Sequence, residues 1–266
     1  MTSHQALPQA LALAVAAAPW RAVGLSLLGL WLAGALVWLC WRHGAPRPAS
    51  ARALGLGLVG VVLVATVALW SGAHGVPDVA GPGWLVRFDD LLALALADGL
   101  PAHKLRAWTW LTHAGDALVL SLLAAAVAAW LWRCGQRRLM LVWLGALAGN
   151  GLLTRALKLL VDRQRPAHHH GLLVIESGSS FPSGHASAAV VAWGLLAWLL
   201  VRHQGPVAQA LSALLAAALV LLVGWSRVLL QVHHASDVVA GWLIGTAWLV
   251  GAVLVADFLA RRRPAP

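Results

Sequence analysis

Residues 226–237 read SRVLLQVHHASD, flanked by apolar runs at 207–225 and 237–258. An arginine, two adjacent histidines and an aspartate are expensive to hold at the edge of a membrane-like segment, so their presence there marks a functional site by default. The flanking runs decide the architecture. A bilayer core of ~30 Å takes about 20 apolar residues of helix to cross, and five more runs near that length precede these two, at 22–41, 53–72, 116–132, 139–160 and 185–201. Of the 266 residues, 61% are hydrophobic and 11% charged. The mean hydropathy of +0.79 lies far above that of ordinary soluble domains. The expected fold is all-α, a polytopic bundle of transmembrane helices with no room for a separate soluble domain.

Orientation follows from the basic residues. With seven crossings, Arg42, Arg47, Arg52, Arg133, Arg137, Arg138, Arg202, Arg261, Arg262 and Arg263 all fall on one side, which the positive-inside rule makes cytoplasmic. The formal charge of +10 is thus dispersed at the ends of apolar runs. That distribution suits topology and anionic headgroups and gives no nucleic-acid face. Sixteen tryptophans and no tyrosine leave the interfacial aromatic role to Trp, as at Trp20, Trp41, Trp70, Trp130 and Trp132 near run ends. Cys40 and Cys134 form neither a C-x-x-C nor a zinc spacing. The first twenty residues lack a basic n-region and are expected to be an outer tail or interfacial segment, not a cleaved signal. Residues 73–115 open with turn-rich SGAHGVPDVAGPG and continue in a helical pattern, expected to form interfacial helices on the outer face. The organisation expected is a tail and extra transmembrane helix at 1–52, a core at 53–258 and a basic cytoplasmic tail at 259–266.

This topology brings three clusters to the outer face. In KLLVDRQRP, Lys158 and Arg165 are seven apart, two helical turns, and share a face if the helix persists to Pro166. They suit an anion, though each could also be snorkelling to the interface. In SFPSGHAS, Pro182, Ser183 and Gly184 precede a helical run. Free N–H groups at a helix start and a glycine that permits close approach make a phosphate cradle, although Ser183 could equally be an ordinary N-cap. His185 follows in the first turn, where it could donate a proton. In the third cluster Arg227 can pair a phosphate, and Asp237 is four residues beyond His233 and three beyond His234. Either spacing can bring a carboxylate to an imidazole on a helical turn, so local geometry does not choose between the histidines. A carboxylate on one ring nitrogen leaves the other free to attack. Three cations, a backbone cradle, two histidine roles and one carboxylate, without a cysteine or paired-carboxylate cage, favour metal-free phosphoryl transfer through histidine.

At these residues the chain resembles the type 2 phosphatidic acid phosphatase superfamily, which also contains vanadium haloperoxidases. The three motifs of that family, K-x-x-x-x-x-x-R-P, P-S-G-H and S-R-x-x-x-x-x-H-x-x-x-D, occur in order as KLLVDRQRP, PSGH (Pro182 to His185) and SRVLLQVHHASD. The likeness covers about residues 53–258, and the segment before 53 looks like an addition to a six-helix membrane core. The resemblance implies that Lys158, Arg165 and Arg227 bind phosphate oxygens, with Ser183 and the Gly184 backbone completing the cradle. It implies that His233 is the nucleophile, oriented by Asp237, and that His185 protonates the leaving group. It selects His233 over His234 and implies no metal or other cofactor. The His168 to His170 run lies in the variable loop between motifs and is expected to be solvated. Arg163 could assist the phosphate field; Asp162, Glu176, Asp116 and His113 receive no role.

The function expected is an integral membrane lipid phosphatase with its site on the outer face of a bacterial-type inner membrane. Its partners are the bilayer and a lipid phosphate: phosphatidic acid, phosphatidylglycerol phosphate or undecaprenyl pyrophosphate, by resemblance. A phosphotransferase with the same nucleophile is the alternative within enzymes. A transporter would favour ionisable groups near the midplane, whereas these gather at one face.

Overall fold

The computed structural model describes residues 3–19, 21–26, 28, 84–100, 102–166 and 176–261, and among them there is no strand. Helices α1 (Ser3–Ala17), α2 (Trp84–Gly99) and α3 (Ala102–Thr112) come first. A 3-10 turn (His113–Gly115) leads into α4 (Ala117–Arg133), followed by α5 (Arg137–Val161), α6 (Gly184–Val201), α7 (Pro206–Leu229) and α8 (Ala235–Arg261). Helices α5 to α8 are each long and apolar enough to cross a membrane, and α3 and α4 make a further candidate span bent by 43°. The five expected crossings from 116 onward thus correspond to helices. Those at 22–41 and 53–72 lie, apart from 22–26 and 28, outside the described residues, as do residues 73–83 of the expected interfacial stretch.

One boundary moves for a physical reason. Helix α7 continues to Leu229, four residues past the end of its apolar run at 225. Ser226 and Arg227 are fully buried within the protein rather than facing lipid, so the apolar pattern stops before the helix does.

Between lipid-facing helices there is little hydrophobic drive, and close packing of small residues has to supply the cohesion. The α6–α8 seam shows how. A Cβ on Gly241 would come within 2.6 Å of the Ser183 carbonyl oxygen, and one on Gly245 within 2.7 Å of that of Ser187. Their spacing of four, GWLIG, puts both glycines on one face of α8, and backbone lies against backbone. Tryptophans then act as staples inside the bundle. Trp143, wholly buried, donates its ring N–H to the Ala124 carbonyl of α4, and Trp248 donates to Ala146 of α5.

The described crossings alternate in direction, so the start of α4, the end of α5, the start of α6, the end of α7 and the start of α8 meet at one end. At the opposite end Arg202 donates to Gln136, Arg138 donates to the Leu259 carbonyl, and Arg137 stacks over Trp132. Above the first end, Leu92 and Leu96 of α2, Leu105 and Trp108 of α3 and Ala12 of α1 share one apolar cluster with Leu229, Leu230 and Val232. The outer helices therefore hold down the loop that carries the histidines.

Candidate active site

Helix α7 ends on itself at this site. The Arg227 carbonyl accepts hydrogen bonds from the backbone N–H of Val232 (3.1 Å) and His233 (3.3 Å), and Gln231 takes a positive φ of 56° to make the turn. This folds the chain so that the fully buried Arg227 and the His233 ring face one small volume. Helix α8 begins only at Ala235, so His233 and Asp237 do not meet through a helical i,i+4 relation as the spacing had suggested. The Asp237 Oδ2 lies 3.7 Å from His233 Nδ1 and 3.4 Å from His234 Nδ1. Ser180 fills the gap to His233: its hydroxyl is 2.5 Å from Asp237 Oδ2 and 3.4 Å from His233 Nδ1.

The histidines point different ways. His233 turns Nε2 toward Arg165 Nη1 (3.3 Å), whereas His234 Nε2 is directed at Asp90, 3.7 Å away. His233 is the histidine that fronts the cations. Burial pushes its pKa down to about 3; Asp237 pulls it back up, and Arg227 and Arg165 push it further down. Burial and the two arginines therefore hold the ring neutral around neutral pH.

Helix α5 stops at Val161, with Asp162 left-handed at φ 41° as its C-cap, so the helix does not persist to Arg165 as the two-turn spacing required. The two cations meet nonetheless, because the returning strand of chain supplies a shared acceptor. Lys158 Nζ donates to the Ser179 carbonyl at 3.0 Å and Arg165 Nη2 reaches the same oxygen at 3.3 Å. Burial lowers the Arg165 pKa, with Asp237 acting against it. Arg163, between them in sequence, takes no part in this group. It bridges Asp89 of α2 (2.9 Å) and Asp237 (2.7 Å). Burial disfavours its charge, but the two carboxylates outweigh that and raise its pKa.

Ser183 is the N-cap of α6, its hydroxyl accepting from the Ala186 N–H, while its own N–H donates to the Asp237 carbonyl. The side chain is therefore committed to the helix. The N–H groups of Gly184 and His185, in the first turn where no intrahelical acceptor exists, are the donors this segment can offer an anion. His185 Nε2 is 2.5 Å from Asp116 Oδ1, and its Nδ1 faces the same volume as His233.

A carboxylate already sits in that volume. Glu176 contacts Arg227 Nη2, lies 3.1 Å from Arg165 Nη1, and is 3.7 Å from His185 Nδ1 and 3.9 Å from His233 Nε2. Arg227 further donates to Thr112 Oγ1 at 2.6 Å. Glu176, Ser180, Asp116, Asp89 and Thr112 were missed or left without a role in the sequence reading, because each reaches the site through tertiary contact rather than a motif. Ser180, three residues before Ser183, carried no signal at all. Among the described residues no group of three or more His, Cys, Asp or Glu could hold a metal ion. The His168 to His170 run lies outside the described residues.

A helical membrane bundle whose histidines and cations converge at one end has the make-up of a membrane phosphatase, and the relatives of the chain are of that class. The chain belongs to the PAP2 superfamily, which its residues 139–261 match. Phosphatidylglycerophosphatase B of Bacillus subtilis is 33% identical over 142 residues, covering 52% of this chain and 68% of that protein. A decaprenylphosphoryl-5-phosphoribose phosphatase of Mycobacterium tuberculosis is 32% identical over 146 residues, 54% of this chain and 75% of that one. A lipid A 1-phosphatase of Rhizobium johnstonii is 32% identical over 142 residues, and the chain spans about half of its length (53%). The crystal structure of a transmembrane PAP2-type phosphatidylglycerolphosphate phosphatase from Bacillus subtilis superposes with a TM-score of 0.65 at 25% identity, over 78% of this chain and 98% of that one.

Proposed function

We propose that this lipid phosphatase hydrolyses a lipid phosphomonoester or pyrophosphate at the outer face of a bacterial-type inner membrane, through a phosphohistidine and without a metal. The observation that carries the reading is the Glu176 carboxylate, an anion held by Arg165 and Arg227 within 3.9 Å of His233 Nε2 and 3.7 Å of His185 Nδ1. A substrate phosphate takes that place once Glu176 moves aside. Lys158, Arg165, Arg227 and the first N–H groups of α6 meet its oxygens, where the charge of the transition state spreads. His233 Nε2 forms a bond to phosphorus as the bond to the lipid oxygen breaks, and His185 Nδ1 gives its proton to that oxygen. Water, losing a proton to the same nitrogen, then displaces His233 and releases phosphate. Asp237 and Ser180 hold the Nδ1 side of the nucleophile, the orienting logic of a triad.

The outer face is supported by the arginine-rich end opposite the site, which the positive-inside rule makes cytoplasmic. A site at the ends of the spans admits a headgroup while its chain stays in lipid. The names of the relatives support a phosphorylated glycerolipid or polyprenyl phosphate as substrate. The test is phosphate release by the purified protein from phosphatidic acid, phosphatidylglycerol phosphate and undecaprenyl pyrophosphate, with chelator present. At least one should be turned over. His233→Ala and His185→Ala should abolish release, while His234→Ala should keep most of it. Turnover unchanged in His233→Ala sinks the mechanism; loss of all activity to chelator sinks its metal-free character; a phosphorylated acceptor in place of free phosphate makes the enzyme a transferase.

A further inference from the structure

His185 is gripped from the side away from Glu176. Its Nε2 meets Asp116 Oδ1 at 2.5 Å, and the other carboxylate oxygen of Asp116 is bonded to Nδ1 of His113. Asp116 stands at the break between the 3-10 turn and α4, and it makes no capping bond to that helix although it occupies the N-cap position. The usual local role of an aspartate there is therefore not the one it plays.

The turn that carries it is fastened to the α6 side of the bundle. Trp193 of α6 donates to the Ala114 carbonyl at 2.9 Å, and the Asp116 N–H donates to the His113 carbonyl at 3.0 Å. A Cβ on Gly115 would lie 3.1 Å from both the Cβ and the carbonyl oxygen of His185 and 2.9 Å from Val223 Cγ1, so the chain passes too close for a side chain. Burial raises the Asp116 pKa, but the hydrogen bonds and charges of His113 and His185 outweigh it and keep the group ionised.

We propose that Asp116 is the positioning residue of the general acid, a second carboxylate–imidazole pair set across the phosphate from Asp237, Ser180 and His233. The proposal rests on the reading above, in which His185 protonates the leaving oxygen. With Nε2–H committed to the carboxylate, the exchangeable proton is on Nδ1, the nitrogen 3.7 Å from the Glu176 carboxylate that marks the phosphate position. In the first step that N–H proton passes to the lipid oxygen as its bond to phosphorus breaks, leaving a neutral ring still bonded to Asp116. In the second, Nδ1 takes a proton from water as oxygen bonds to phosphorus and His233 departs. The negative carboxylate stabilises the imidazolium that begins and ends the cycle, and His113 fixes its second oxygen.

Asp116→Asn keeps the shape and removes the charge. General acid catalysis contributes about 10²–10⁴-fold where the leaving group needs a proton. The variant should therefore lose ~100-fold in kcat/KM, which reports the first step alone, on dioctanoyl phosphatidic acid, an alkyl ester. On p-nitrophenyl phosphate, whose leaving group departs without protonation, it should lose less than about threefold. Asp116→Glu should recover part of the alkyl rate. His185→Gln run in the same series separates the two ideas: if it too shows no leaving-group dependence, the acid role of His185 fails. If His185→Gln shows that dependence and Asp116→Asn loses both substrates equally, or neither, the positioning role alone is overturned. A melting temperature of Asp116→Asn within a few degrees of wild type ties the selective loss to chemistry.

Discussion

Replacing Arg163 by methionine takes away the cation shared by Asp89 and Asp237, whose side chains have no solvent access at all. Removing one partner of a buried ion pair costs about 3–5 kcal/mol, because the other charge is left unpaired out of water. The two aspartates do not double that figure, since each keeps other donors: Asp237 retains Ser180 Oγ (2.5 Å) and the His234 N–H (2.9 Å), and Asp89 retains Ser236. At about 2–4 °C per kcal/mol for a chain of this order of size, the expected fall in melting temperature is roughly 6–20 °C. Tryptophan fluorescence of the detergent-solubilised protein reads it, with phosphate release measured in parallel. Asp89→Asn in the Arg163→Met background should then cost less than Asp89→Asn alone, because the carboxylate it removes no longer has its arginine. A melting temperature within about 2 °C of wild type for Arg163→Met, or strictly additive costs in the double variant, would refute the shared-cation reasoning.

Three further outcomes follow from the geometry. Ser180→Ala removes the hydroxyl between Asp237 and His233, and a hydrogen bond to a charged group is worth about 1.5–3 kcal/mol. At 1.36 kcal/mol per tenfold, kcat should drop roughly 10- to 150-fold with little change in KM; a KM effect alone would contradict the orienting role. Gly241→Ala forces α6 and α8 apart against the Ser183 carbonyl and should cost about 1–3 kcal/mol, whereas Gly251→Ala, with nothing within 4 Å, should be neutral, as thermal melting would show. Because the His233 pKa is pushed down to about 3, the neutral nucleophile persists as pH falls through 6.5, the ordinary histidine value. The acid limb of kcat/KM, corrected for ionisation of the substrate phosphate, should show no tenfold-per-unit decline near pH 6.5, and such a decline would contradict the buried, neutral ring.

The crossings from residue 116 onward were legible because lipid-facing helices advertise themselves as apolar runs, and the residues that gather at the candidate site because ionisable groups stand out against that background. What local periodicity could not supply was how those residues meet. Lys158 and Arg165 come together through the Ser179 carbonyl after the helix has ended, and Asp237 reaches His233 by way of Ser180 across a non-helical turn. Arg163 could be given no more than a general part in the phosphate field, because its partner Asp89 lies 74 residues earlier on a different helix. Ser183 satisfies both readings of its sequence in part, with the hydroxyl capping α6 and the backbone beside it open to an anion.

The glycine seam between α6 and α8 has an electrostatic side. Both helices start at the reactive end, so their macrodipoles run parallel and present two partial positive poles, each about half an elementary charge, side by side. Parallel dipoles held at backbone contact repel. Helix α8 answers its own pole with Asp237 in its first turn, but α6 has no acidic residue there. The pole of α6 is capped by the neutral Ser183 hydroxyl, and the carboxylates that come to its first turn, Asp116 and Glu176, do so at the His185 ring, 2.5 Å from Nε2 and 3.7 Å from Nδ1. Binding an anion would in this sense complete a helix pair of which only one member carries an acidic residue in its first turn.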